Sequence, residues 1–235
     1  TFIVPFNPGG GADTLARFYG HQLGKALGTT VVVLNQPGAG GNIGTALAAR
    51  ATPDGNTVVY GTNGTMGTNQ VLYKKPGFSI SDFEPVAMFG AIPLVLVVEK
   101  DSPYRCVTDI ISHAKKSPKE LMCATVGNGT ASHLACVMLQ QMAGIQMENL
   151  PLRGGSAAIV ELRARRIPFL IDVMPSLMPQ IKSGALQWDP ALEDVRVTVD
   201  GTAPRLMAEP DLLKIVFVNL LVDVLYGYLD PRIRY

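Results

Sequence analysis

Five short stretches of glycine and small polar residues carry the chemistry open to this chain. Pro8-Gly9-Gly10-Gly11-Ala12-Asp13 follows the apolar run Phe2-Ile3-Val4. It precedes a helical pattern with Leu15, Phe18, Tyr19, Leu23 and Leu27 at spacings of three and four. A strand, a glycine-rich turn and a helix leave backbone N–H groups pointing out of a positively polarised helix start, which suits an anion. Asp13 stands where an acid caps such a start. Pro37 to Gly44 repeats the pattern after Thr30–Leu34, and Gly61 to Asn69 is a polar loop after Thr57–Tyr60. Gly127 to Ser132 follows Met122–Val126, and Arg153-Gly154-Gly155-Ser156 follows Asn149–Leu152. A bare strand-to-helix turn also favours glycine, so several such loops on one edge say more than any single one.

No acid–base pair accompanies these loops. Ser132 and His133 are adjacent, which assigns neither nucleophile nor base, and there is no Gly-x-Ser-x-Gly elbow or P-loop lysine. A nucleotide-binding α/β enzyme is the rival reading. Against it, Gly9-Gly10-Gly11 is not Gly-x-Gly-x-x-Gly, and no acid ends the second strand. Binding without turnover, and without a cofactor or metal, is the expectation. A net charge of +1 with 17% charged residues argues against a nucleic-acid partner. Cys106, Cys123 and Cys136 are odd in number and lack metal-ligand spacing; each is expected to be a small buried apolar residue outside any disulfide.

Strands alternating with helices predict a mainly parallel α/β fold with ligands beyond the carboxyl ends of the strands. Val107–Lys115, His133–Ala143, Ala157–Ala164 and Met174–Ile181 read as helices, with Leu134, Val137, Met138 and Met142 facing inward. Pro168–Val173 reads as a strand carrying Asp172. The expected units are residues 1–97 and 98–187, crossing near Val95–Val98, with 188–235 as an atypical tail that partly returns to the first unit. Within that tail, Leu212–Leu229 is apolar but interrupted by Lys214, Asn219 and Asp223. It reads as a buried amphipathic helix rather than a membrane span.

Five motifs in order resemble one family. They are Val4-Pro5-Phe6-x-Pro8-Gly9-Gly10-x-x-Asp13, Asn35-x-Pro37-Gly38-Ala39-Gly40-Gly41-Asn42-Ile43-Gly44, Pro53-Asp54-Gly55, Asp82-Phe83-x-Pro85-Val86 and Gly127-Asn128-Gly129-Thr130-x-Ser132-His133-Leu134. Together they resemble the solute-binding proteins of tripartite tricarboxylate transporters, the TctC or Bug family, over about residues 2–187. The resemblance implies a type II periplasmic-binding-protein fold of two α/β domains around a ligand cleft. It implies a periplasmic monomer, its leader removed, that captures a small carboxylate and delivers it to membrane permease subunits. A ligand-presenting sensor is the alternative within the same fold.

Carried over by position, the resemblance places Phe6, Pro8, Gly9, Gly10 and Asp13 at one end of the ligand, with Thr62, Asn63 and Thr65 on the same wall. It places Gly129, Thr130 and His133 on the opposing domain, and has Gly155, Ser156 and Ala157 offering N–H groups to a second carboxylate. By itself His133 reads more readily as a cap or a structural histidine than as a ligand contact. Asp172 at the cleft edge would accept from an amine or hydroxyl, or cap a helix. Beyond about Leu186 the chain is expected to depart from the family, and Val222–Arg234 resembles the end of peptide-type ABC permeases.

Overall fold

The computed structural model describes residues 1–88 and 90–188. The chain enters as β1 (Phe2–Val4), α1 (Gly11–Leu27), β2 (Val33–Asn35), α2 (Asn42–Ala49) and β3 (Val58–Val59). A π-type turn over Gly64–Thr68 leads into α3 (Asn69–Leu72). The second half runs β4 (Leu94–Glu99), α4 (Val107–Lys116), β5 (Met122–Thr125), α5 (Ala131–Ala143) and β6 (Glu148–Pro151). It continues through α6 (Gly155–Arg163), β7 (Leu170–Val173), α7 (Met174–Lys182) and β8 (Leu186–Gln187).

The strands form two sheets. The first, ordered β2-β1-β3, is parallel throughout, with Phe2 opposite both Val33 and Val58. The second, ordered β6-β5-β7-β4-β8, is mixed: β5 is parallel to β6 and β7, while β4 runs antiparallel to β7 and β8. Leu94 to Glu99 therefore sits wholly in the second sheet, and the apolar run expected to cross between units is a strand inside it. That position explains its continuous hydrophobicity, since Leu94, Leu96 and Val98 enter the core on one face and Val95 and Val97 the core on the other.

Two helices bury faces other than those their large residues mark. In α1 the inward positions are Asp13, Ala16 and Gly20, while Phe18 and Leu27 are 57% and 65% exposed. Small residues win because they let the helix lie close on the sheet; a Cβ at Gly20 would meet Val31 at 3.3 Å. In α5 Ser132, Ala135, Cys136 and Leu139 face inward, and Met142 and Val137 face out. The expected Val137–Met142 stripe is thus displaced around the helix.

The cysteines also differ from expectation. Cys123 on β5 and Cys136 on α5 form a disulfide with a Cα–Cα distance of 6.1 Å, and Cys106 alone is free. Odd-number arithmetic does not exclude one pair; the crossing of α5 over β5 brings together two buried residues 13 apart in sequence. The loop expected over Gly61–Asn69 is largely helical, held by Thr62 and Thr65, whose side chains each accept the other's backbone N–H. The expectations for Leu212–Leu229 and for the tail from Asp189 onward fall outside the described residues. No helix among the described residues is long and apolar enough to cross a membrane.

Closing a loop of this size constrains the unfolded chain by about 3 kcal/mol. Cys136→Ser should lower the unfolding free energy by about 2–3 kcal/mol in urea titration. Thiol counting on the denatured, unreduced protein should find one free thiol, that of Cys106.

Candidate binding cleft between two helix starts

The carboxyl edges of the two sheets face each other, and the glycine loops meet between them. From the first lobe come residues 6–10, 38–41 and 62–65; from the second come 127–130 and 153–157. Ser156 Oγ on α6 donates to the carbonyl of Pro8 at 3.0 Å. Asn7 Nδ2 donates to the carbonyl of Arg153, and Tyr73 Oη donates to the carbonyl of Asn128 at 3.1 Å. Gly64 closes on Gly129 so tightly that a Cβ there would lie 2.7 Å from the Gly129 carbonyl oxygen.

Two helix starts dominate this seam. The N-cap of α1 is Gly10 and that of α6 is Gly154, and neither supplies a side-chain cap. The first N–H groups of a helix have no intrahelical acceptor. In α6 the first main-chain bond is Ala158 N–H to Gly154, which leaves Gly155, Ser156 and Ala157 with N–H groups for an outside acceptor. In α1 the first is Thr14 N–H to Gly10. By contrast α5 is capped internally: the Thr130 hydroxyl accepts from His133 N–H and donates to the Gly127 carbonyl. The α1 and α6 starts, from opposite lobes, are tied by Ser156 and Pro8; α2 also begins at a glycine without a side-chain cap, but its Asn42 and Ile43 N–H groups bond the Ala39 and Gly38 carbonyls.

The sequence-derived candidates divide by what their polar atoms do. Phe6, Pro8, Gly9, Gly155, Ser156 and Ala157 lie on the two loops that meet, each partly or fully exposed, and Gly10 is buried at the start of α1. Thr62, Asn63 and Thr65 lie on the adjoining loop, but their hydroxyl and amide groups bond within the turn, and Thr65 is buried. Thr130 is committed to its cap, and Gly129 donates its N–H to His133 Nδ1 at 3.2 Å. That bond fixes the neutral His133 with its proton on Nε2, and partial burial lowers its pKa below the ordinary histidine value. Asp13 turns away into a network: it accepts from Gly9 N–H, Arg17 Nε and Asn35 Nδ2 at 2.9–3.0 Å. Burial by itself would raise its pKa, but the Arg17, Gly9 and Asn35 hydrogen bonds and the Arg17 charge hold it below the usual carboxyl value.

Asp172 lies beneath the site rather than at its rim. It is 4% exposed and receives the Ser176 hydroxyl at 2.7 Å. A Cβ on Gly155 would meet its Oδ2 at 2.5 Å, so the start of α6 rests directly on this carboxyl. Burial pushes its pKa up to about 6, against the lowering effect of Ser176 and the Val173 N–H. Gly11 is the matching contact on α1, where a Cβ would lie 2.6 Å from Val173 Cγ2. At Gly10, by contrast, a Cβ would have only the Asn7 carbonyl oxygen near it, at 3.5 Å.

Sequence reasoning missed Asn7, Gly40, Asn69, Tyr73, Asn128 and Ser176. Asn69 is fully buried and donates to Asn42 Oδ1 and the Gly40 carbonyl, fixing the loop that meets residues 127–129. Only the dense asparagine and glycine content of these loops signalled such roles. Among the described residues no cluster of His, Cys, Asp and Glu could hold a metal.

The fold and the cleft together define a two-lobed α/β binding protein of the periplasmic type. The model of the tripartite tricarboxylate transporter family receptor matches residues 15–206, and the chain belongs to that family. The match runs past the limit near residue 187 that the motifs suggested. BugT of Bordetella pertussis is 33% identical over 98% of this chain and 69% of its own length. A protein encoded in the tcbD–tcbE intergenic region of Pseudomonas sp. strain P51 is 37% identical over 75% of this chain. The aligned part is 52% of that protein, so the chain spans about half the length of this curated relative. Among solved structures, the periplasmic binding protein BugD is 32% identical with a TM-score of 0.76, covering 83% of this chain and 68% of its own. Rpa4515 of R. palustris, solved with adipate, is 31% identical with a TM-score of 0.77, covering 80% and 64%. MatC from Rhodopseudomonas palustris, with bound malate, is 28% identical with a TM-score of 0.74, covering 80% and 65%.

Gly155→Ala should destabilise the protein by about 1–3 kcal/mol, as overpacking does, whereas Gly10→Ala should stay within about 1 kcal/mol. Urea titration of the two variants separates them. The raised Asp172 pKa has a definite sign: its share of stability is full below the ordinary carboxyl value, near 4, and is lost as pH rises through about 6. Thermal melts of Asp172→Asn should therefore gain on wild type between pH 4 and pH 7.5, by on the order of 2–3 kcal/mol.

Proposed function

We propose that this protein is an extracytoplasmic solute-binding protein that captures a small carboxylate between its lobes, without chemical turnover. The single observation carrying this reading is the meeting of two uncapped helix starts, α1 and α6, from opposite lobes. Each presents N–H groups polarised for an anion, so one ligand reaching both would hold the lobes together. Phe6, Pro8, Gly9, Gly10, Gly155, Ser156 and Ala157 form this contact, supported by Thr62, Asn63, Thr65, Gly129, Thr130 and His133, with Asp13 and Asp172 behind. Ordered water bridges such groups to a carboxylate at little loss.

Recognition by main-chain dipoles fits the charges at hand. Arg17 is engaged with Asp13 and Asn35, and Arg153 meets the first lobe through its carbonyl. The adipate and malate of the solved relatives supply the chemical class. The Cys123–Cys136 disulfide supports residence in an oxidising compartment such as the periplasm. Within the family's transport system, a membrane permease is the partner, and the binding unit is a monomer. The division into two lobes is part of this reading, with the boundary before β4 rather than at residue 97, because Leu94–Glu99 pairs wholly within the second sheet.

A ligand that binds the folded state raises the melting temperature by mass action, about 2.7 kcal/mol at a hundredfold excess over Kd. Thermal shift against dicarboxylates, aromatic acids and amino acids should find at least one stabiliser, and Gly10→Val should weaken its binding. Consumption of the compound, or stabilisation by NAD alone, would overturn the reading.

A further inference from the structure

We propose that Asp172 makes ligand capture a proton-linked event: a carboxylate seated on the α6 helix start is taken up together with one proton, which Asp172 receives. The inference rests on the carboxylate-binding reading above and adds to it the charge state in which the site accepts its ligand.

The geometry around Asp172 suits a neutral acid. Ser176 Oγ lies 2.7 Å from Asp172 Oδ2 and 2.8 Å from the Val173 carbonyl oxygen. One hydroxyl hydrogen can serve only one of these acceptors. With Asp172 ionised, the other contact is left between two oxygens. With a proton on Oδ2, Asp172 donates to Ser176 Oγ, and Ser176 donates to Val173, so the relay is complete.

Among the described residues no ion pair supports the ionised form; the polarised start of α6 favours it, and burial nonetheless raises the pKa of Asp172. The elements packed around Asp172 are β4, β5, α5, α6 and α7, with α1 meeting α7 from the other lobe. Their titratable residues include Glu99 on β4, His113 and Glu120 near β5, His133 on α5, Glu161 and Arg163 on α6, Lys182 on α7, and Asp13, Arg17, His21 and Lys25 on α1. None of them makes an ion pair with Asp172. Gly155, Val95 and Ser176, which touch or pair with Asp172, carry no charge.

The consequence follows from position. Gly155 begins α6 directly on this carboxyl, its would-be Cβ 2.5 Å from Oδ2, and the N–H groups of Gly155, Ser156 and Ala157 belong to that same first turn. A ligand carboxylate on those groups adds a second negative charge beside a buried one, and like charges sharing a site raise the pKa of one of them. Asp172, buried directly under the α6 start with its pKa pushed up to about 6, is the acid placed to take that proton from solvent. A fixed cation at the same place would have held the anion at any pH; a titratable acid makes affinity rise on acidification. Asp172 is a positioning and specificity residue in this account, acting through Gly155 and Ser176.

Isothermal titration with adipate and with malate tests this, at pH 6.0, 7.0 and 8.0 in paired buffers of different ionisation enthalpy. Wild type should take up close to one proton per bound dicarboxylate at pH 7.0 and 8.0, with affinity falling about tenfold per pH unit as one-proton linkage requires. Asp172→Asn should abolish the uptake and flatten the pH profile, which a merely structural residue would not do, and it separates Asp172 from His133. Ser176→Ala should keep the uptake while raising the pH at which affinity falls. If Asp172→Asn does not fold, the shift of the pH profile in Ser176→Ala decides. Binding without proton uptake, or an unchanged pH slope in Asp172→Asn, overturns this inference and leaves the carboxylate reading standing. Failure of every dicarboxylate to bind at any of the three pH values overturns both.

Discussion

The contact between the starts of α1 and α6 is the constraint on which the rest of the architecture depends. Each start is uncapped because its N-cap is glycine, and glycine contributes no side chain to satisfy the first N–H groups. Left in a single-lobed protein, these groups would simply face water. Here the two starts meet between the sheets, joined by Ser156 to Pro8 and Asn7 to Arg153. Polarised donors on both sides of a seam create a place that an acceptor with two ends completes.

Close approach is what the small residues in this chain provide. Gly11 lets α1 touch the β7–α7 junction, and Gly155 lets α6 rest on Asp172. Gly20 and Ala16 bring α1 onto the first sheet, and Ala135 and Cys136 bring α5 onto the second. Large apolar residues on the same helices, Phe18 and Met142 among them, are turned outward as a result. Close packing rewards the face that allows the shortest separation over the face with the most carbon. The disulfide between β5 and α5 reinforces the lobe whose two helix starts, α5 and α6, face the cleft.

Two acids near the seam are tuned in opposite directions by their surroundings. Asp13 has Arg17, Asn35 and the Gly9 N–H, and stays ionised as part of the scaffold. Asp172 has one shared hydroxyl and a dry environment, and burial pushes its pKa up to about 6. The same side-chain type thus serves once as a fixed brace and once as a titratable floor, and only burial and partners distinguish them.

Much of this was legible in the sequence. The alternation of apolar runs with glycine loops specified an α/β fold, because strand and helix periods and turn residues are local properties. Phe2–Val4, Val107–Lys116 and the Gly155 helix fall where the pattern put them, within a residue or two. Five motifs in register specified the family. Tertiary structure alone decided which helix faces were buried, since the distance between helix and sheet is not a local quantity. It decided that Cys123 meets Cys136, because pairing depends on the crossing of α5 over β5. It also decided that Asp172 lies under α6 with one hydroxyl between two acceptors. A pKa is set by what surrounds a group in three dimensions, and the order of residues along the chain does not record it.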